Sequence, residues 1–214
     1  MKKLICIIIA LTLSLTAFAS GESYADLLNK LGLFNGTDSG YDLDMPLTRE
    51  QAAVMLTRLL GVEKEAEKAD YDAVFDDVNE DRWSYPYVMY CYENKITNGT
   101  GKYTFSPENI ISAEQFTALV LRVLGYESEP DTALDTAVKY MMLSSSRAKE
   151  LADGDFTRGD MVELICRAIR TRTSDGRLFA YIMAENGFIS NRDAEKLDLY
   201  KSASDITEII DSIL

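Results

Sequence analysis

Three short stretches hold the residues best suited to chemistry: Thr48-Arg49-Glu50-Gln51, Ser112-Ala113-Glu114-Gln115 and Thr157-Arg158-Gly159-Asp160. Each opens with a hydroxyl followed three residues later by an amide or carboxylate. In this capping-box spacing the hydroxyl accepts a first-turn N–H and the longer side chain returns to the cap residue's own N–H. In two of the three, an arginine takes the first helical position. A guanidinium beside free N–H groups at the positive end of a helix suits an anion, because it offers bidentate, charge-assisted bonds. Ala113 breaks the pattern in the central copy.

Other chemistries are narrowed by what is missing. The chain has no histidine, which removes Ser-His-Asp and Cys-His catalysis and the commonest zinc ligand. It has no Gly-rich phosphate loop. Carboxylates are plentiful, so composition does not exclude a glycosidase pair, but they fall on solvated helix faces and in capping loops, where they complement the helix dipole. Asp77, Asn79 and Asp81 alternate like a calcium loop, yet the sixth and twelfth positions are Arg82 and Val88 rather than Gly and a carboxylate. An acidic cap ahead of Trp83 is the preferred reading. No metal, cofactor or catalytic residue is expected.

The elements that position the three arginine or alanine sites are helices. After Ser112, the residues Phe116, Leu119, Val120, Val123 and Leu124 form one apolar stripe of helical period, stopped by Gly125. Sixty-four residues earlier the stripe is Ala52, Met55, Leu56, Leu59 and Leu60, stopped by Gly61; forty-five later it is Met161, Leu164, Ile165, Ala168 and Ile169. Arg58, Arg122 and Arg167 hold matching positions and are expected to snorkel or pair structurally. Three helices matching in cap, stripe and polar face are an internal repeat, and the uneven spacing predicts a closed three-fold cluster rather than an open solenoid. The fullest copy runs from Phe75 to Tyr126, with a first helix carrying Trp83 and several tyrosines, a Gly-containing turn and an extended piece ending at Pro107.

Lys2 and Lys3 precede an apolar run and the small-x-small sequence Ala17-Phe18-Ala19, the pattern of a secretory signal peptide over residues 1–19. The run is too short for a membrane span, so no membrane insertion is expected after cleavage. The whole chain carries 22 basic and 35 acidic residues; losing Lys2 and Lys3 leaves 20 against 35, a net charge of −15. Such a chain is a poor partner for nucleic acid or anionic membranes. Cys91 and Cys166 remain and read as packed thiols, with a bridge left open. The organisation expected is residues 20–61 as a first repeat, 62–74 as a charged linker, 75–126 as a second repeat, 127–171 as a degenerate third and 172–214 as a helical cap or partial repeat. In the third copy a first helix is expected over Ala133–Leu143, and Ser144 to Asp155 replace the glycine turn and proline segment.

FDDVNEDRW, then a helix, an NG turn, an F-S-P segment and a capped helix start, resembles the S-layer homology family of bacterial surface proteins. The likeness extends from about Tyr24 to Arg170, strongest over the central copy and weakest over the third. The resemblance implies an all-α, pseudo-three-fold bundle with grooves between repeats that hold an anionic, often pyruvylated, secondary cell-wall polysaccharide. It carries the family's Thr-Arg-Ala-Glu motif onto Thr48 and Arg49 and onto Thr157 and Arg158 as glycan-binding residues. Trp83 joins them as a stacking platform, weighed against a place in the core. Ala113 implies a weak or dead central groove.

Two functions follow. The first is an exported, non-catalytic module that binds cell-wall polysaccharide and anchors protein at a Gram-positive type of cell surface. The second is an interaction scaffold for other surface-layer proteins that kept the fold and lost the glycan. A carbohydrate-active enzyme is a distant third.

Overall fold

The computed structural model describes residues 21–192, 194 and 195. The expected signal peptide and the amphipathic stretch Asp205–Leu214 lie outside the described residues. Nine helices are named among the described residues: α1 Gly21–Lys30, α2 Arg49–Leu60, α3 Glu63–Lys68, α4 Tyr85–Glu93, α5 Ala113–Val123, α6 Pro130–Lys139, α7 Ser145–Asp153, α8 Arg158–Ile169 and α9 Phe179–Glu185. Extended contacts among them are limited to isolated bridges. The architecture is an all-α bundle of helix-loop-helix units.

The three long helices start where the capping boxes place them. Thr48, Ser112 and Thr157 each accept the N3 backbone N–H, and Gln51, Gln115 and Asp160 each return to the cap backbone. Their stripes meet in one core: Leu56, Val120 and Ile165 are all 0% exposed and belong to a single apolar cluster. Helix α5 touches both α2 and α8. Around this centre the shorter helices are exchanged in order. The first helix of each unit packs on the long helix of the unit before it, α4 on α2 and α6 on α5, and α1 closes the ring on α8. A repeat of this kind leaves part of its apolar face bare when alone, and the exchange covers it.

Several expectations are corrected. The charged stretch after Gly61 is no bare linker: α3 packs its fully buried Ala66 against α2 and α4. Trp83 lies outside the first helix of its unit. Pro86 near the start of α4 marks where the helix begins, and Trp83, in the preceding turn, is 57% exposed. The third unit's first helix starts at Pro130 and ends at Lys139, earlier than the apolar pattern alone suggested. The segment Ser144 to Asp155 is itself mostly helical, as α7, capped by Ser144 on the Arg147 N–H. Arg147 then ties α7 to α8 through Glu163, at 2.9 Å, and Asp160.

The polar residues of the repeat behave as structural pairs. Arg58 bonds Glu63, Arg167 bonds Glu163, and Arg122 bonds the Ser128 and Ile96 carbonyls and Glu129. Cys91 and Cys166 are buried free thiols that face the carbonyls of Ala53 and Tyr24. Residues after Arg170 cross the C-terminal end of the bundle. The Ser174 N–H donates to the Leu124 carbonyl and the Asn186 side chain to the Leu60 carbonyl, so the last turns of α5 and α2 are capped by one segment.

Candidate functional site

Between units the chain builds two junctions whose backbone bonds match residue for residue. At the first, the N–H groups of Arg49 and Glu50 donate to the carbonyls of Asn109 and Pro107. At the second, Arg158 and Gly159 donate to Met45 and Leu43, each acceptor sixty-four residues before its counterpart. The arginine side chains repeat the correspondence. Arg49 Nε donates to the Phe105 carbonyl at 2.7 Å, and Arg158 Nε to the Tyr41 carbonyl at 3.1 Å. Each guanidinium lies over a ring, Arg49 over Phe105 at 4.8 Å and Arg158 over Phe34 at 4.9 Å.

This geometry corrects the physical rationale for an anion at the helix ends. The first-turn N–H groups of α2 and α8 are not free; they are consumed by the neighbouring unit and by the cap hydroxyl. What remains for a ligand is the guanidinium edge. Arg49 is only 5% exposed, and its Nη1 reaches Gln115 at 3.4 Å, while Nη2 has no partner among the described residues. Arg158 is half-buried, and both of its Nη groups lack a described partner. Burial pushes both guanidinium groups below their ordinary basicity, opposed by the charges of Asp77 at Arg49 and Asp42 at Arg158. Both stay cationic at neutral pH, since arginine is not deprotonated in proteins. The Thr48 and Thr157 hydroxyls are engaged as caps, and Thr157 also donates to Asp160 at 2.7 Å.

The loops that receive the arginines are set by a few backbone choices. Asp42 and Ser106, at equivalent positions, both adopt left-handed backbone, with φ of 50° and 58°. Gly99 has φ of +77°, and a Cβ there would lie 2.5 Å from the Thr104 carbonyl oxygen, so only glycine permits the turn. Asp77, the first acid of the calcium-like run, accepts the N–H groups of Phe105 and Ser106 at 2.9 and 2.7 Å. Its role is to hold this loop. Among the described residues no group of three or more His, Cys, Asp or Glu is arranged to hold a metal ion.

Next to Arg49, Glu50 is clamped by Arg82 through two bonds of 2.8 and 3.0 Å and by the Ser84 hydroxyl at 2.6 Å. Burial of this carboxyl opposes ionisation, but the Arg82 and Ser84 bonds outweigh it and hold Glu50 below its ordinary value. Trp83 lies between those two residues in sequence and is exposed. Sequence reasoning missed Glu50 and Arg82; a carboxylate after Arg49 and an arginine before Trp83 carry no motif that pairs them.

The third junction, at α5, keeps the capping box but differs in what docks on it. Ala113 stands in the arginine position and is 3% exposed. Helix α7 replaces the receiving loop, and neither the Ala113 nor the Glu114 N–H has an acceptor among the described residues. Arg82 lies three residues before α4, and the residue three before α6 is Glu127. The loss of the arginine and the loss of its docking loop therefore occur together.

Comparison with known proteins agrees with this architecture. Residues 74–117, from the approach to Phe75 through the first turns of α5, match the model of the S-layer homology domain. The chain is 27% identical over 194 residues to the middle cell wall protein of Brevibacillus brevis, covering 79% of this chain and 18% of that protein. It is 28% identical over 188 residues to a cell surface protein of Thermoanaerobacter kivui, covering 79% of this chain and 24% of that one. A 54-residue stretch is 41% identical to part of an endoglucanase of a Bacillus species, covering 25% of this chain and 6% of the enzyme. The chain thus spans under a quarter of the length of these relatives. The domain match thus falls on the central unit, the relatives that span most of this chain are cell-wall and cell-surface proteins, and no helix among the described residues is long and apolar enough to cross a membrane.

Proposed function

We propose that this protein is an exported, non-catalytic cell-surface module that holds to the cell wall through an anionic polysaccharide, in which the Arg158 and Arg49 junctions contact the polymer's acid groups. The observation that carries this reading is the repeated junction: a guanidinium fixed by its Nε on a neighbouring carbonyl and stacked on a ring, with Nη donors left over. A guanidinium held in this way loses little freedom on binding a carboxylate and presents a fork of donors. Arg158 is the better exposed of the two, and the exposed Trp83 offers a sugar ring a flat apolar face. Relatives named as cell wall and cell surface proteins are consistent with anchoring.

The test is sedimentation with purified cell walls, before and after chemical removal of their acidic polymer. Binding that survives removal of the polymer, or that is unchanged in Arg158→Ala, Arg49→Ala and the double variant, would refute this reading. Retained fold with loss of wall binding, accompanied by capture of a surface-layer protein, would favour the scaffold reading.

A further inference from the structure

The third junction is not an empty version of the other two. A groove of about 340 Å³ opens there between the start of α5, α6 and α7, lined by Glu114, Asp131, Leu134, Asp135, Val138 and Lys149 among others. Its size falls at the lower end of the roughly 300–1,000 Å³ of ligand sites. Along α6, Asp131, Leu134, Asp135 and Val138 alternate acid and aliphatic at helical spacing, so an apolar strip carries a carboxylate on its edge at each turn. Asp131 and Asp135 have no partner among the described residues. Glu114, whose counterpart Glu50 is neutralised by Arg82, has only the Ser112 hydroxyl, at 2.7 Å. In the place of Arg82 stands Glu127, and in the place of Arg49, Ala113.

Both cations of the ordinary junction are therefore gone while its carboxylate stays, and two further carboxylates join it. Three acids against Lys149 leave the lining net negative, the opposite sign to the arginine junctions. We propose that this groove binds a basic peptide segment, in which lysine or arginine heads pair with Glu114, Asp131 and Asp135 and the aliphatic stems lie on Leu134 and Val138. Charge complementarity selects that occupant: an acidic polymer is repelled here, and a purely apolar segment leaves the three carboxylates unpaired. The chain's own residues 196–214 contain two lysines and four acids, the wrong sign for the groove. The site provides a place to hold a partner protein while the arginine junctions face the wall.

The experiment is fluorescence anisotropy with a short labelled peptide of alternating lysine and leucine, and its glutamate-for-lysine isomer as control. The lysine peptide is expected to bind and the glutamate peptide to fail. Neutralising the groove with Asp131→Asn, Asp135→Asn and Glu114→Gln together should weaken binding about ten-fold or more, on the scale of lost charge-assisted contacts. Lys149→Glu should tighten it. A triple variant at exposed acids elsewhere, Asp70→Asn, Asp72→Asn and Glu80→Gln, controls for the overall negative charge and should change little. Equal losses in the two triple variants, or binding of the glutamate peptide at the free N–H groups of α5, would overturn the proposal. So would an amino-sugar oligomer binding where the peptide does not. Sedimentation with cell walls by the same groove variants should be unchanged, which separates this site from the polysaccharide reading.

Discussion

Arg49 and Phe105 meet twice: the guanidinium Nε donates to the Phe105 carbonyl at 2.7 Å, and its central carbon sits 4.8 Å from the middle of the Phe105 ring. The pair joins residues 56 apart in sequence and locks the first long helix onto the loop of the next unit. An arginine that the sequence marks only as the first residue of a helix is therefore part of the packing between units.

That double contact sets the first prediction. Arg49→Ala removes a buried bond from a charged donor and a cation–π contact, and is expected to cost about 2 to 4 kcal/mol in urea unfolding. Arg158→Ala, at a half-buried site, should cost less, about 1 to 2 kcal/mol. A binding assay on these variants must be read beside their stabilities. Arg49→Lys should recover only part of either effect, because a point charge cannot donate to the Phe105 carbonyl and stack on the ring together. If Arg49→Ala is as stable as the wild type, the junction does not couple the units.

The clamp on Glu50 makes stability depend on pH. Its folded value lies below the ordinary 4.5, so its contribution is fully present above the unfolded value and is lost as pH falls through the folded one. Unfolding free energy should therefore drop below about pH 4.5, and Glu50→Gln should flatten that part of the profile. Arg82→Ala is expected to be more damaging than Glu50→Gln near neutral pH, since it leaves a buried carboxylate without its cation. An unchanged acid limb in Glu50→Gln would assign the pH dependence to other carboxylates.

The shared core gives a third prediction. Leu56→Ala, Val120→Ala and Ile165→Ala each open a void at a fully buried position and should cost about 2 to 5 kcal/mol, with Val120→Ala lowest because it removes one carbon fewer. If the three stripes form one cooperative centre, unfolding should stay two-state in all of them. Separate transitions would show that the units melt independently.

The long helices and their order were legible because capping boxes and 3.6-residue stripes are local signals: Thr48 with Gln51 and Ile165 with Ala168 need no partner to be read. The ring closure was less visible. That α1 packs on α8 and α4 on α2 depends on contacts between distant segments, and nothing in Leu28 or Val88 names the helix it meets. Helices α3 and α7 leave little trace in the sequence because each is short and mostly charged or polar, so burial of a few residues such as Ala66 and Ala148 decides them. The apolar neighbours of Trp83 suggest a helix there, whereas Pro86 and the Ser84–Glu50 bond hold it in an exposed turn. For the candidate site, Arg49 and Arg158 could be found from the repeated motif, but their ring partners Phe105 and Phe34 could not, since each lies in another unit.

The loop that receives Arg49 supplies a last, paired prediction. Gly99 and Gly32 share a left-handed backbone, with φ of +77° and +71°, but differ in surroundings. A Cβ at Gly32 meets nothing within 4 Å, whereas at Gly99 it would lie 2.5 Å from the Thr104 carbonyl oxygen and 2.6 Å from the Phe75 ring. Gly32→Ala therefore carries only the backbone cost of a left-handed alanine, about 1 to 2 kcal/mol. Gly99→Ala adds displacement of Thr104, the residue before Phe105, and should cost at least about 1 kcal/mol more. It should also move the Phe105 carbonyl away from Arg49, so combining Gly99→Ala with Arg49→Ala is expected to cost less than the two separate effects added. Strict additivity in that double-mutant cycle would mean that the turn and the arginine act independently, and that Gly99 does not set the position of the carbonyl on which Arg49 docks.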